Sequence, residues 1–172
     1  MIYEPAEDSF LLKKYVLKFA SGKILDIGTG SGILAEAALK KSKDVLAADI
    51  DEKSINYCRK NGINAIKSDL FSNIKGKFDV IIFNPPYLPK HPREPEDSAR
   101  VTTGGEKGSE LLERFLKEAK SHLKKKGIIL FVCSSLTGNV EKIMKKYKYK
   151  FEKLESEKHF FEELYIYRAY LI

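Results

Sequence analysis

Lys23-Ile24-Leu25-Asp26-Ile27-Gly28-Thr29-Gly30-Ser31-Gly32-Ile33 is an apolar run that stops abruptly in three glycines. The run reads as a short strand buried on both faces of a parallel sheet, and residues 33–41 as the helix that follows. Glycines between them let the chain turn sharply and let a ligand approach the backbone without a Cβ in the way. A dinucleotide loop of the form GxGxxG needs a small third residue to pack helix on strand. Ile33 holds that place here, one residue after Gly32, which disfavours a pyrophosphate ligand. With no P-loop lysine, nucleotide hydrolysis has no support. Taken alone, the loop also fits a strand-to-helix turn that binds nothing.

The pattern repeats outward from this point. Upstream, residues 6–20 follow Pro5 with helical spacing at Phe10, Leu11, Tyr15, Val16 and Phe19. Downstream come a strand over 44–48 closing at Asp49, a helix over 51–61 stopped by Asn61-Gly62, a brief strand over 64–67 and a strongly apolar strand over 78–83. Residues 88–108 lack periodicity, and a loop of that length in a compact domain is usually a functional lid or binding segment. A helix over 109–123, a strand over 127–133, a helix over 140–147 and two alternating runs within 149–171, split near Ser156-Glu157-Lys158, complete the chain. This order predicts a single α/β, Rossmann-like domain over 1–172: a seven-stranded, mostly parallel sheet ending in an antiparallel hairpin, with helices on both faces. Ligands of such sheets bind beyond the carboxyl ends of the strands.

Three acids stand at three successive strand ends. Asp26, two residues before Gly28, would repel a phosphate but attract an ammonium group, and S-adenosylmethionine carries an ammonium and a positive sulfonium. Asp49 follows Gly28 at the spacing at which a carboxylate reaches the two hydroxyls of a ribose. Asp51 lies past the strand end and reads as a helix N-cap. Asp69, in Ser68-Asp69-Leu70-Phe71, can accept from an adenine amino group while Leu70 packs on the ring; alone, it fits a turn or capping residue equally well.

Asn84-Pro85-Pro86-Tyr87 is the most specific signal. Two prolines directly after a buried strand stiffen the turn. They hold two acceptors in place, the Asn84 side-chain oxygen and the Pro85 carbonyl, which together can bind both hydrogens of one NH2 group. The lone pair of an amide or aromatic amine is delocalised and poorly nucleophilic, so it needs such a grip to face a methyl donor. Hydrogen bonds that strengthen as the nitrogen gains charge stabilise the transition state. Tyr87 can stack on or bracket the planar target.

The remaining composition mostly excludes. No apolar stretch reaches the length of a membrane span, and the N-terminus lacks a signal-peptide pattern. Cys58 and Cys133 lie far apart within apolar-periodic segments, reading as buried reduced thiols. Without an HxxH or a Cys/His cluster, no metal site is expected. These features point to a cytoplasmic location. The net charge of +7 fits either a nucleic-acid-rich partner or a Lys/Glu-rich thermophile surface, which the lack of Gln and Trp also suits. Lys124-Lys125-Lys126 and Lys145-Lys146 read as solvated helix ends. His91 reads as a loop histidine, and His122 and His159 as structural. Arg93, Arg100 and Lys107 either steer an anionic substrate or solvate the lid. Phe160, Phe161, Tyr165 and Tyr167 read as hairpin packing rather than a base-stacking platform.

At these residues the sequence resembles the class I methyltransferases, and more closely the HemK family, which methylates the glutamine of the Gly-Gly-Gln motif in translation release factors. Tyr3-Glu4-Pro5-Ala6-Glu7-Asp8-Ser9-Phe10-Leu11-Leu12 is similar to the signature of its archaeal and eukaryotic branch. The Asn-Pro-Pro-Tyr motif is shared with adenine amino-methyltransferases. The resemblance implies S-adenosylmethionine as cofactor, with contacts by Ser9, Asp26, Gly28, Gly30, Asp49, Asp69 and Leu70. It implies that Asn84 touches both cofactor and substrate amide, within a catalytic turn Asn84, Pro85, Pro86 and Tyr87. Gly104-Gly105 and Gly108 resemble the glycine segment that follows the lid. Bacterial members carry an extra N-terminal helical domain, whereas here the signature begins at Tyr3. Members of this branch need a small zinc-binding activator subunit that pairs with the sheet edge, here the strand at 63–67; a short lysine-bearing strand also simply guards an exposed edge.

The readings carried forward are glutamine N-methylation of a class I release factor, N-methylation of adenine in RNA or DNA, and, more weakly, lysine methylation. A non-catalytic binding module is the fourth. A flipped base would want a basic groove and more stacking surface, so direct nucleic-acid binding is not expected.

Overall fold

The computed structural model describes residues 4–172; Tyr3 of the N-terminal signature lies outside them. Along the chain run α1 (Glu7–Phe19), β1 (Ile24–Ile27), α2 (Ile33–Leu39), β2 (Val45–Asp49), α3 (Glu52–Lys60), β3 (Ala65–Lys67), β4 (Phe78–Phe83), α4 (Glu96–Thr102), α5 (Glu110–His122), β5 (Leu123–Ser134), α6 (Val140–Lys146), β6 (Tyr149–Lys158) and β7 (Glu163–Leu171). The seven strands form one sheet in the order β3-β2-β1-β4-β5-β7-β6. β1 to β5 are parallel, and β7 pairs antiparallel with both β5 and β6.

Strand alternation sorts the core onto two faces. Ile24, Val80, Ile82, Leu130 and Val132 face the layer that holds Leu12 and Val16 of α1, Leu34 of α2 and Ile55 of α3. Their neighbours Leu25, Ile27, Ile81, Phe83 and Phe131 face Leu112, Phe115 and Leu116 of α5 and Met144 of α6. Each central strand therefore has no solvent face, which is why β1 and β4 read as apolar runs broken only by Asp26 and Asp79. Asp51 caps α3, accepting from the Lys53 N–H. Cys58 and Cys133 are both buried, and burial pushes their thiols up to about 11 and about 12.

Four local expectations are corrected. β5 begins at Leu123, so Lys124-Lys125-Lys126 is extended chain rather than a helix end. Lys124 Nζ reaches the Asp79 carboxylate at 2.7 Å, and the pairing with β4 slips between Phe78 and Val80. The segment 88–108 contains the two-turn α4, tied down by Glu94, whose carboxylate accepts from Ser98, Thr102 and Thr103 hydroxyls. The hairpin turns at 159–162, beyond Ser156-Glu157-Lys158; an irregularity between Lys153 and Glu155 breaks the alternation early and mimics a turn. Finally, Phe160 and Phe161 are 93% and 84% exposed at that tip and Phe10 is 57% exposed, so none packs as the periodicity implied.

Candidate active site

Beyond the carboxyl ends of β1, β2, β3 and β4 lies a cavity of about 770 Å³. Ser9, Gly28, Gly30, Asp49, Asp69, Leu70, Asn84, Pro85 and Pro86 all line it, so the strand-end residues singled out by spacing converge on one space. Asp26 and Tyr87 are not among its lining residues.

The glycine loop is held from below and behind. Gly30 N–H donates to Asp49 Oδ2 at 2.9 Å. Gly32 sits at φ +82°, and a Cβ there would lie 2.7 Å from Ile63 and 3.1 Å from Cys58 Sγ. The close approach that the dinucleotide pattern assigns to a small residue at position 33 is thus made by Gly32. Asp26 is fully buried beneath the loop. One of its oxygens accepts from the Thr29 hydroxyl at 2.7 Å and the other has no hydrogen-bond partner. Burial raises its carboxyl to about 7, against the Thr29 bond, which favours the anion.

Asp49 receives Gly30 N–H on one oxygen and Asp51 N–H on the other, both at 2.9 Å, leaving a lone pair on each for a diol. Burial raises its carboxyl as well. Asp69 is engaged differently from the sequence reading: Arg114 of α5 clasps both oxygens, at 3.0 Å each. Leu70 holds a left-handed backbone, φ +46°, unusual for a residue with a side chain. Ser68 over-determines that turn, its hydroxyl donating to the Leu70 carbonyl while accepting from Asn73 N–H.

The Asn84 side chain is oriented from α1. Its Nδ2 donates to Ser9 Oγ at 3.2 Å, while its Oδ1 is buried without a partner. Ser9 Oγ donates in turn to Asp8 Oδ1 at 3.2 Å, and the same oxygen accepts Ser9 N–H at 2.6 Å. Tyr87 gives its hydroxyl to Asp8 Oδ2 at 3.3 Å and packs against the α1 side of the core. Asp8 was not singled out in advance, yet it starts the buried stripe Asp8, Leu11, Leu12, Tyr15, Val16. An acid at the head of an i, i+3, i+4, i+7, i+8 stripe was the available signal.

The segment after the turn supports it from outside. A Cβ on Gly104 would lie 2.6 Å from the Pro86 carbonyl oxygen, and one on Gly108 2.7 Å from that of Tyr87. Both glycines therefore lie directly against the Asn84–Tyr87 backbone. Leu88 bonds to Thr102 and Gly104, and Asp97, Arg100 and Val101 of α4 complete the cavity wall.

The Methyltransferase small domain family matches residues 7–162. A Methanocaldococcus jannaschii protein, named provisionally as a protein N5-glutamine methyltransferase, is 40% identical, with 98% of this chain and 91% of that protein covered. The release factor glutamine methyltransferase of Streptococcus pneumoniae is 35% identical over 62% of this chain, which spans only 43% of that protein. Among solved structures, the chain is similar to one in the E. cuniculi Mtq2-Trm112 complex, responsible for methylation of the eRF1 translation termination factor. That match has a TM-score of 0.80 and 25% identity, and covers 99% of this chain and 98% of the other.

Proposed function

The chain belongs to the Methyltransferase small domain family, and on that footing we propose that it methylates the side-chain amide nitrogen of a protein glutamine, using S-adenosylmethionine, within a Gly-Gly-Gln motif of a class I translation release factor. The names of its relatives support this reading, and one structural observation carries it. Asn84 Oδ1, buried in the cavity wall at the end of β4, has no hydrogen-bond partner. A buried acceptor left unpaired costs about 1–3 kcal/mol, a cost that an incoming N–H removes.

The cavity suits the cofactor. Asp49 offers two oxygens to a ribose diol, Leu70 and Asp69 flank the end of β3 for an adenine, and Asp26 sets a buried carboxyl under the glycine loop. When bound, S-adenosylmethionine supplies an electrophilic methyl group on a positive sulfonium. The chain's own part is to hold the nitrogen. Asn84 Oδ1 and the Pro85 carbonyl accept the two amide hydrogens, and the stiff turn keeps both in place. Charge building on the nitrogen strengthens both bonds, which lowers the barrier. Alignment contributes several kcal/mol more. The segment 88–108 serves as the substrate lid in this reading.

A small zinc-binding activator subunit, pairing with β3, belongs to the same proposal, together with a cytoplasmic location beside the translation machinery. β3 stands at the sheet edge, and no helix among the described residues is long and apolar enough to cross a membrane. The test is incubation of the purified protein with labelled cofactor and a class I release factor or RNA, with and without a co-expressed activator subunit. Label on the Gly-Gly-Gln glutamine, located by mass spectrometry, supports the proposal; label on lysine, or only in RNA, overturns it.

A further inference from the structure

The eight large apolar side chains exposed among the described residues are not spread evenly. Phe10, Leu136, Phe160 and Phe161 all stand at the carboxyl end of the sheet, outside the cavity. Phe10 follows Ser9, whose hydroxyl holds Asn84. Leu136 lies in the turn that leaves β5, where Ser135 bonds to Glu163 through both its N–H and its hydroxyl. Phe160 and Phe161 form the tip of the β6–β7 hairpin, with ring centroids 4.6 Å apart and planes nearly perpendicular.

The sheet register places this tip relative to Asn84. β7 lies two strands from β4, about 10 Å away. Phe83, Phe131 and Tyr167 share one level, and Ser134 pairs with Leu164 three residues further on. The hairpin thus rises about 10 Å past the start of the Asn84 turn before the two phenylalanines begin. It is braced rather than loose: His159 N–H donates to the Glu162 carbonyl at 2.8 Å, and Ser156 bonds to Glu163. Two exposed aromatic rings on a rigid arm cost free energy in water and are ready to bind.

We propose that the Phe160–Phe161 tip, at the same end of the sheet as Leu136 and Phe10, is a docking surface for the folded protein substrate, gripping an apolar patch near the target glutamine. This rests on the reading of the chain as a protein-glutamine methyltransferase. Charge selects the occupant. Flanking the tip in sequence, Glu157, Glu162 and Glu163 outnumber Lys158 and Lys153, the two lysines whose charge reaches Glu163. That acidic excess repels a phosphate backbone and suits an apolar patch bordered by basic side chains. Hot spots of this kind are centred on a few aromatic anchors.

The test uses the double substitution Phe160→Ser/Phe161→Ser in the full chain, with its activator subunit if activity requires one. Substrates are an intact class I release factor and a short peptide containing Gly-Gly-Gln. The expected result is a KM for the intact factor raised at least tenfold with kcat unchanged, no change toward the peptide, and recovery of most of the loss in Phe160→Leu/Phe161→Leu. Equal KM values for wild type and double variant overturn the proposal. So do a parallel loss on the peptide, loss of the activator subunit, or a loss confined to RNA binding. If wild type methylates neither substrate, the glutamine reading itself fails, an outcome distinct from a variant that matches an active wild type.

Discussion

The Asn84 side chain gives a hydrogen from Nδ2 to Ser9 Oγ at 3.2 Å, and this contact decides which way round the amide sits. The Ser9 hydroxyl hydrogen is committed to Asp8, so its oxygen can only accept from Asn84. Oδ1, buried and without a partner, is then the amide atom left to accept from a substrate. Ser9→Ala frees the amide to rotate, and kcat is expected to fall about 10- to 100-fold, matching the 1–3 kcal/mol of one oriented polar contact. Cofactor affinity should change less than threefold, and Ser9→Thr should restore most of kcat. If calorimetry instead shows cofactor binding lost with kcat intact at saturation, Ser9 is a cofactor ligand and not a positioning residue.

Burial of Asp26 makes two pH-dependent predictions. Its carboxyl, raised to about 7, holds its proton more tightly in the fold than in the unfolded chain. Its contribution to stability is therefore complete below about pH 4, declines as pH rises through 7, and is flat above. A cationic ligand favours the ionised form, so cofactor affinity should rise about tenfold from pH 6 to 8, with proton release on binding. Titration in buffers of different ionisation heat measures both. Asp26→Asn should flatten most of the slope, leaving the part due to Asp49, and should raise Tm at pH 8. An unchanged slope in that variant would show that Asp26 does not titrate with binding.

Gly108 offers a way to disturb the turn without touching the cavity. It sits at φ +86° with the Tyr87 oxygen 2.7 Å from where a Cβ would go, so Gly108→Ala meets both backbone strain and backbone crowding. Gly62, at φ +77° with nothing near, is the control that meets strain alone. Gly62→Ala is expected to cost about 1 kcal/mol, and Gly108→Ala about 2 kcal/mol or more. Only the second should lower kcat, by displacing the Asn84–Tyr87 backbone, while leaving the cofactor affinity near wild type. Equal effects of the two on kcat would remove the support role given to this glycine.

These residues also show what could and could not be read in advance. Strand ends are legible because burial on both faces makes β1 and β4 apolar runs broken by a single Asp each, and ligand-facing residues follow where such runs stop. Arg114 is not, since its clasp on Asp69 joins residues 45 apart and leaves no periodic trace. Gly104 and Gly108 stand out only through the resemblance, as the glycine segment after the lid; their packing against Pro86 and Tyr87 leaves no local trace. Phe160 and Phe161 were misplaced because the irregularity near Leu154 shifts the alternation of β6. Local periodicity reports burial; it cannot report which distant backbone a glycine must accommodate.

The ladder of the edge strand β3 separates pairing from folding. Ala47 N–H bonds to Asn64 and Ser68 N–H to Asp49, so even-numbered residues of the β3 segment face β2 and Ala65 and Lys67 face outward. Their carbonyls are already capped, that of Ala65 by Arg59 Nε at 2.9 Å and that of Lys67 by Asn73 Nδ2 at 2.9 Å. An added strand must therefore use the Ala65 and Lys67 N–H groups and share or displace those caps. Lys67→Pro removes one outward N–H while leaving the inward ladder whole; the exposed Lys67–Glu52 pair it also removes contributes little. The fold should survive, with Tm within a few degrees, whereas Ile66→Pro breaks an inward bond and should destabilise by about 3 kcal/mol. If an activator subunit pairs here, Lys67→Pro should abolish its co-purification and the activity that depends on it. Co-purification at wild-type levels in a folded Lys67→Pro protein would mean that the caps on Ala65 and Lys67 guard this edge and that the partner binds elsewhere.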